Sequence, residues 1–233
     1  MLCPLIESLV RIMAIGLRGR IDLCQQRGFC CMQDAFFFGY GSLVNRKTHV
    51  FHDAHPATAV GWRRAWRATA ARPIAYLTAL PHPTGQIEGL IAPVPHGSWH
   101  ALDQREHAYA RVPVSDRVTH PLPNRPEIAI YAIPQGAHHA PTVENPILLS
   151  YVDVVLQGYL AEFGQDGVAR FLASTNGWDA PVLDDRKAPI YPRHQSLVPA
   201  ERRMVDRALA DLGAQIIAAT PEMAQRIVQS RVV

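Results

Sequence analysis

The stretch Phe36-Phe37-Phe38-Gly39-Tyr40-Gly41-Ser42-Leu43-Val44 decides the fold. Three consecutive aromatics read as a buried strand, and the run Gly39 to Ser42 is too flexible and too short in side chain to extend it. The strand therefore ends in a tight loop. Glycines on either side of Tyr40 permit positive φ and let another molecule lie against bare backbone. The N–H groups of Gly41, Ser42 and Leu43 can then converge on an anion or a carbonyl oxygen, which is the design of a small-molecule cradle. A β-turn with a buried tyrosine is the competing reading of the same residues. A dinucleotide-binding loop is disfavoured, because the third glycine is missing and no acidic residue closes a following strand at the expected distance.

Around that stretch lies a chain of 233 residues with 48% hydrophobic and 18% charged residues, enough to bury a substantial core in one domain. Of the net charge of +3, two units come from residues 1–31, where Arg11, Arg18, Arg20 and Arg27 stand against Glu7 and Asp22. The remainder is near neutral, which argues against nucleic acid as a partner. No apolar run approaches the about 20 residues needed to span a bilayer, so no membrane partner is expected.

All four cysteines, Cys3, Cys24, Cys30 and Cys31, precede Met32. They match no zinc spacing, and the main domain needs no disulfide, which fits a reducing cytoplasm. Glu7 and Arg11 interrupt any signal-peptide core. Leu5, Leu9 and Met13, with Ile6, Val10 and Leu17, fall at helical spacing. Because Met32 opens directly into the first strand, residues 1–31 are read as an upstream extension from a start codon assigned too early, and residues 32–233 as the domain.

Beyond the loop, His49, His52 and His55 recur at three-residue intervals, but a helix would spread them around more than half a turn and no further ligand completes a metal site. They are read as exposed loop histidines. Thr58 to Arg67 alternates as a strand, with Trp62, Arg64 and Trp66 on one face and Arg63, Ala65 and Arg67 on the other. One of these arginines is a candidate to hold a substrate carboxylate bidentately, and solvated edge-strand arginines are the alternative. Ile74 to Leu80 and Gln86 to Val94 read as two strands of a hairpin turning at His82-Pro83-Thr84-Gly85. Ser98 reads as the N-cap of a helix from Trp99 to about Tyr109, followed by an extended segment through Val112 and Val114. Leu102 and Glu106 share a face of that helix, so a core-facing Leu102 carries Glu106 inward. Desolvation of an inward carboxylate raises its pKa toward neutrality, which suits general acid/base work. A salt-bridged surface glutamate is the plainer reading, with Arg105, Arg111 and His107 as partners.

The pairing of Gly39-Tyr40-Gly41-Ser42-Leu43 with a later Leu102-Asp103-Gln104-Arg105-Glu106 and Val112-Pro113-Val114 resembles the gamma-glutamylcyclotransferase superfamily, which includes glutathione-degrading cyclotransferases and AIG2-like proteins. Gly61-Trp62-Arg63-Arg64 is similar to a Gly-aromatic-x-Arg element of that group. The resemblance implies an α+β fold built on a small mixed, mostly antiparallel β-barrel with flanking helices. It implies that the loop Tyr40, Gly41, Ser42 and Leu43 binds a gamma-glutamyl group and that Glu106 is the catalytic residue. Pro146 with Ser150-Tyr151 resembles a helix start whose tyrosine contacts substrate, and a core tyrosine is the alternative for Tyr151. The implied reaction makes 5-oxoproline by intramolecular attack, with no metal and no organic cofactor.

In the last third, residues 120–145 are rich in proline and histidine around a weak strand at Glu127 to Ile133. Ile147, Leu148, Tyr151, Val152, Val155, Leu156, Tyr159 and Leu160 predict a core helix from Pro146 that stops at Gly164. Residues 174–199 read as a long surface loop, with Trp178, Asp184, Asp185 and Arg186 as candidates for a lid. Ser196 to Leu212 predicts a closing helix, with Glu201 near a capping-box position, and Ile216 to Ala219 a final strand. Two rival functions stand beside cyclotransfer: a catalytically silent metabolite binder of the same fold, and a serine hydrolase using Ser42, which lacks the G-x-S-x-G elbow.

Overall fold

The computed structural model describes residues 35–94, 98–106 and 108–230. The expected extension at residues 1–31, with its cysteines and amphipathic helix, lies outside the described residues, as do Met32 and His107. The fold described is that of the unit Asp34–Val233.

The aromatic run forms the short strand β1, Ala35–Gly39, with Phe36, Phe37 and Phe38 all buried. Both faces are covered because β1 is an interior strand. It pairs antiparallel with β3 (Arg72–Pro93) and parallel with β6 (Glu127–Ala132), so that Phe37 stands between Ala92 and Ala129. Small neighbours leave room for the rings, and each buried phenylalanine contributes about 1.5–3 kcal/mol. Strand β2, His55–Thr69, pairs antiparallel with β3 along its length. With β4 (Ala110–Pro113), β5 (Val118–Thr119) and β8 (Thr175–Asn176), these form a sheet of seven strands among the described residues. Its order is β4-β6-β1-β3-β2-β5, with β8 added parallel to β2. The sheet is curled, mostly antiparallel and flanked by helices, which is the expected α+β class.

The expected hairpin is not formed. Ile74 to Leu80 and Gln86 to Val94 belong to one strand, β3, whose two halves run the same way against β2. Trp62 opposes Pro81 and Val60 opposes Gln86, so His82-Pro83-Thr84-Gly85 is an excursion opposite Gly61 rather than a reversal. Proline removes ladder donors there without ending the pairing on either side.

Helix α1 spans Trp99–Arg105, with Ser98 at its N-cap as expected but making no side-chain cap bond. It is shorter than the sequence suggested. Glu106 is its C-cap, with non-helical ψ of 30°, and its N–H still bonds to the Leu102 carbonyl at 2.9 Å. Leu102 is buried and Glu106 half-buried on the same side.

The core helix α2 is Leu149–Ala173, preceded by the two-residue strand β7, Ile147–Leu148, where a helix start was expected. Gly164 does not stop it. At φ 68° the glycine breaks the helical path, and a second helical stretch runs on to Ala173. Val155, Leu156, Tyr159 and Phe171 join Phe37 and Trp66 in the main hydrophobic cluster.

Residues 174–199 are not a plain loop. They supply β8 and β9 (Val182–Asp184), and β9 lies between β7 and β10 (Ile216–Ala218) in a second, parallel sheet. The closing helix α3 is Pro199–Asp211, where the Glu201 carboxylate accepts the Val198 N–H at 2.9 Å. Strand β10 is not the last element. Helix α4, Pro221–Gln229, follows, capped by Thr220 Oγ1 on the Met223 N–H, and buries Ile227 with Leu148 and Leu183.

Candidate active site

The loop after β1 is held from behind. Its residues Ser42–Val44 form one 3₁₀ turn and Arg46–Thr48 a second. Asn45 Nδ2 donates to the Val154 carbonyl and to Gln157 Oε1, each at 2.9 Å, while Thr48 Oγ1 donates to the Ser42 carbonyl at 2.9 Å. The Tyr40 carbonyl accepts from Arg64 Nε at 3.1 Å and from the Tyr159 hydroxyl at 3.0 Å.

Neither Gly39 nor Gly41 has a positive φ, contrary to the sequence expectation. They are glycine for want of space. A Cβ on Gly39 would lie 2.6 Å from Leu43 Cβ, and one on Gly41 would lie 2.6 Å from the Tyr151 hydroxyl oxygen. The Ser42 N–H is directed at that same hydroxyl. Bare backbone is therefore in close approach to Tyr151, from the first turn of α2, which brings together two stretches that the sequence separates by more than a hundred residues.

Two connected recesses open on this contact. The inner one, about 60 Å³, is walled by the loop Gly39 to Leu43 together with Tyr131. The outer one, about 220 Å³, runs from Ser42 past Ile74, Tyr76 and Leu148 to Tyr191, Pro192 and Arg193, with Arg72 in its wall. Ser42, Leu77, Glu106, Tyr109 and Tyr151 line both. The candidate residues Tyr40, Gly41, Ser42, Leu43, Glu106 and Tyr151 thus surround one space.

Solved structures of gamma-glutamyl cyclotransferases align with the chain at low identity. One such structure aligns over 75% of this chain and 99% of its own, with 12% identity and a TM-score of 0.47. The glutathione-specific gamma-glutamyl cyclotransferase from yeast aligns over 84% of this chain and 97% of its own, with 16% identity and a TM-score of 0.34. YkqA from Bacillus subtilis aligns over 59% of this chain with 16% identity and a TM-score of 0.47, and the chain spans about half (52%) of its length. No family model matches the chain, and no curated protein does.

Tyrosines dominate the wall. The Tyr40 side chain does not project into solvent: its hydroxyl donates to the Tyr131 carbonyl at 2.6 Å and accepts the Ala79 N–H at 3.1 Å. Tyr109 donates to the Leu77 carbonyl at 3.1 Å, and Tyr131 to Asp103 Oδ1 at 2.5 Å. Tyr151 stacks edge-on against Tyr191 at 4.9 Å, whose hydroxyl donates to Ser42 Oγ at 2.9 Å. Burial raises the pKa of Tyr40, Tyr109, Tyr131 and Tyr151, and the negative charge of Glu106 raises all four further. Glu106 and all four tyrosines line the inner recess.

None of the candidate arginines of β2 lines either recess. Arg64 is buried behind the loop, donating also to Ser174 Oγ at 2.7 Å, to the Glu88 carbonyl and to the Tyr159 hydroxyl, with its guanidinium 4.8 Å from the Phe171 ring centre. Burial lowers its pKa from the ordinary arginine value. Arg63 bonds to Asn176 Oδ1 and the Ala173 carbonyl, and Arg67 to the Trp66 carbonyl. The arginines of the cavity are Arg72 and Arg193, both missed by the sequence reading. A strand-initial arginine after a turn carries no local signal of that role.

The lid candidates serve the scaffold instead. Trp178 packs on Trp66 at 5.4 Å, the Asp185 carboxylate accepts the Ser150 and Ile190 N–H groups, and Arg186 pairs with Asp153 and Asp206. The part of that segment that reaches the cavity is Tyr191 to Arg193. Among the described residues no histidine lines either recess, and the Ser42 Oγ accepts the Tyr191 hydroxyl.

Proposed function

We propose that the chain is a gamma-glutamyl cyclotransferase, which converts a gamma-glutamyl compound to 5-oxoproline and a free amine. The observation that carries this reading is that Glu106 and the Gly39 to Leu43 loop, the two halves of the motif pair, line a single recess with Tyr151. The α-amine of the substrate attacks its own γ-carbonyl carbon. A C–N bond forms, a tetrahedral oxyanion follows, and the bond to the leaving nitrogen breaks. Glu106 takes the proton from the attacking nitrogen as the ring closes and gives it to the leaving nitrogen, so the amine departs neutral. Leu43 stands in the first turn of a 3₁₀ helix, and its N–H with that of Gly41 supplies donors for the oxyanion, the Ser42 N–H being directed at Tyr151. Tyr151 accepts the Ser42 N–H and keeps its own proton for a substrate oxygen.

Nucleophile and electrophile belong to one molecule, so the site has only to hold a folded conformer, where orientation lowers the barrier by up to about 7–11 kcal/mol. A loop fixed by Asn45, Thr48, Arg64 and Tyr159 is suited to that task. The scheme uses no covalent nucleophile, metal or organic cofactor. The test is a panel of gamma-glutamyl amino acids, peptides and amines assayed for 5-oxoproline. Release from at least one class at enzymatic rates supports the reading, and no release from any class leaves only a metabolite binder.

A further inference from the structure

We propose that the outer recess is a carboxylate site, in which Arg72 and Arg193 hold the free carboxylate of the leaving amino acid or peptide, and this rests on the cyclotransfer reading. The two recesses divide the candidate substrate at Glu106. The inner one adjoins the Gly39 to Leu43 loop and takes the gamma-glutamyl group, so the departing amine extends into the outer one. There the wall is apolar at Ile74, Ala75 and Leu148 and basic at Arg72 and Arg193, and Glu106, at the junction, is its only acidic residue among the described residues.

Arg72 is built for a ligand rather than for a protein partner. It is the first residue of β3, and its guanidinium lies close enough to the Tyr76 hydroxyl to lower that group's pKa against the effect of burial. Its Nε and one terminal nitrogen are shielded from solvent yet have no hydrogen-bond partner among the described residues. A buried donor of this kind costs free energy unless an acceptor meets it, and Nε with a terminal nitrogen is the edge that a carboxylate engages bidentately. No carboxylate of the described residues pairs with Arg72 or Arg193. Arg193 approaches from the Tyr191 to Arg193 segment and adds a second positive charge at the more open side. The substrate class that matches is a gamma-glutamyl amino acid or short gamma-glutamyl peptide, and an alkylamine leaving group lacks the anion.

Binding of gamma-glutamylalanine and gamma-glutamylalaninamide to full-length Glu106→Gln protein by calorimetry tests this without turnover. The acid should bind at least about 10-fold more tightly than the amide, as expected for a charge-assisted bidentate contact. Adding Arg72→Met should bring the ratio of the two dissociation constants toward one, and adding Arg193→Met should reduce it by a smaller factor. Should Arg72→Met fail to fold, Arg72→Lys, which keeps the charge and loses the fork, should still weaken the preference. Equal binding of acid and amide, a preference that survives all of these changes, or no binding of either compound overturns the proposal. Failure of the cyclotransfer reading looks different: the unsubstituted protein prefers the acid but releases no 5-oxoproline.

Discussion

The hydroxyl of Tyr151 fills the space that a side chain at position 41 would need, 2.6 Å from where a Cβ on Gly41 would stand. The Tyr151 ring cannot easily withdraw, since Trp66 and Tyr191 contact it edge-on at 5.8 and 4.9 Å. Gly41→Ala should therefore destabilise the protein by about 1–3 kcal/mol, as overpacking does, and lower kcat/KM. In a Tyr151→Phe background the same change should cost less, because the clashing oxygen is gone and the ring carbon stands at 3.8 Å. Urea unfolding of the four proteins measures the coupling, and strict additivity would mean that the loop yields instead.

Tyr151→Phe alone should weaken substrate binding more than it slows the chemistry. Its expected contribution is one hydrogen bond of about 0.5–1.5 kcal/mol, which is about a 2- to 12-fold rise in KM. Steady-state kinetics gives the answer, and an unchanged kcat/KM would make Tyr151 a packing residue.

Arg64 is fully paired without touching the cavity, so Arg64→Met should act through stability and loop position. Loss of its donors to Tyr40, Glu88 and Ser174 predicts about 2–4 kcal/mol of destabilisation. Denaturant unfolding measures this, and a loss below 1 kcal/mol, within the range of surface substitutions, would contradict the clamp.

Alkaline pH probes the buried tyrosines. Tyr40, Tyr109, Tyr131 and Tyr151 are raised above the ordinary value, and burial pushes Tyr159 up to about 12. A tyrosine raised in the folded state adds stability that is fully present below its unfolded pKa of about 10 and is lost as pH rises through the folded value. Stability should thus fall above pH ~10. Absorbance at 295 nm should show these tyrosines ionising in one step together with the loss of circular dichroism. Independent ionisation in a still-folded protein would contradict their burial.

Much of this arrangement was legible in the sequence where local pattern and fold agree. Phe36 to Phe38 announce an interior strand, and the Leu102 to Glu106 spacing brings the carboxylate to the core side although the helix ends at Arg105. The hairpin at His82-Pro83-Thr84-Gly85 was misread because turn residues also mark an excursion within one strand, and only pairing with β2 distinguishes the two. Gly164 was misread for a related reason: positive φ ends a helical path without preventing another from starting. Helix α4 went unnoticed although Thr220-Pro221-Glu222 carries a cap residue and a first-turn proline. Arg72 and Arg193 were not legible at all, since their place in the cavity wall arises from the crossing of β3 with the segment after β9.

The most direct test of the account is turnover by Glu106→Gln protein that is folded by circular dichroism. Glutamine keeps the size and the hydrogen bonding of the side chain but cannot accept and return a proton. Release of 5-oxoproline from the best gamma-glutamyl substrate should fall by about 10²- to 10⁴-fold, with binding to the Tyr40 to Leu43 loop retained. A rate near that of the unsubstituted protein would contradict the assignment of Glu106 as the acid/base.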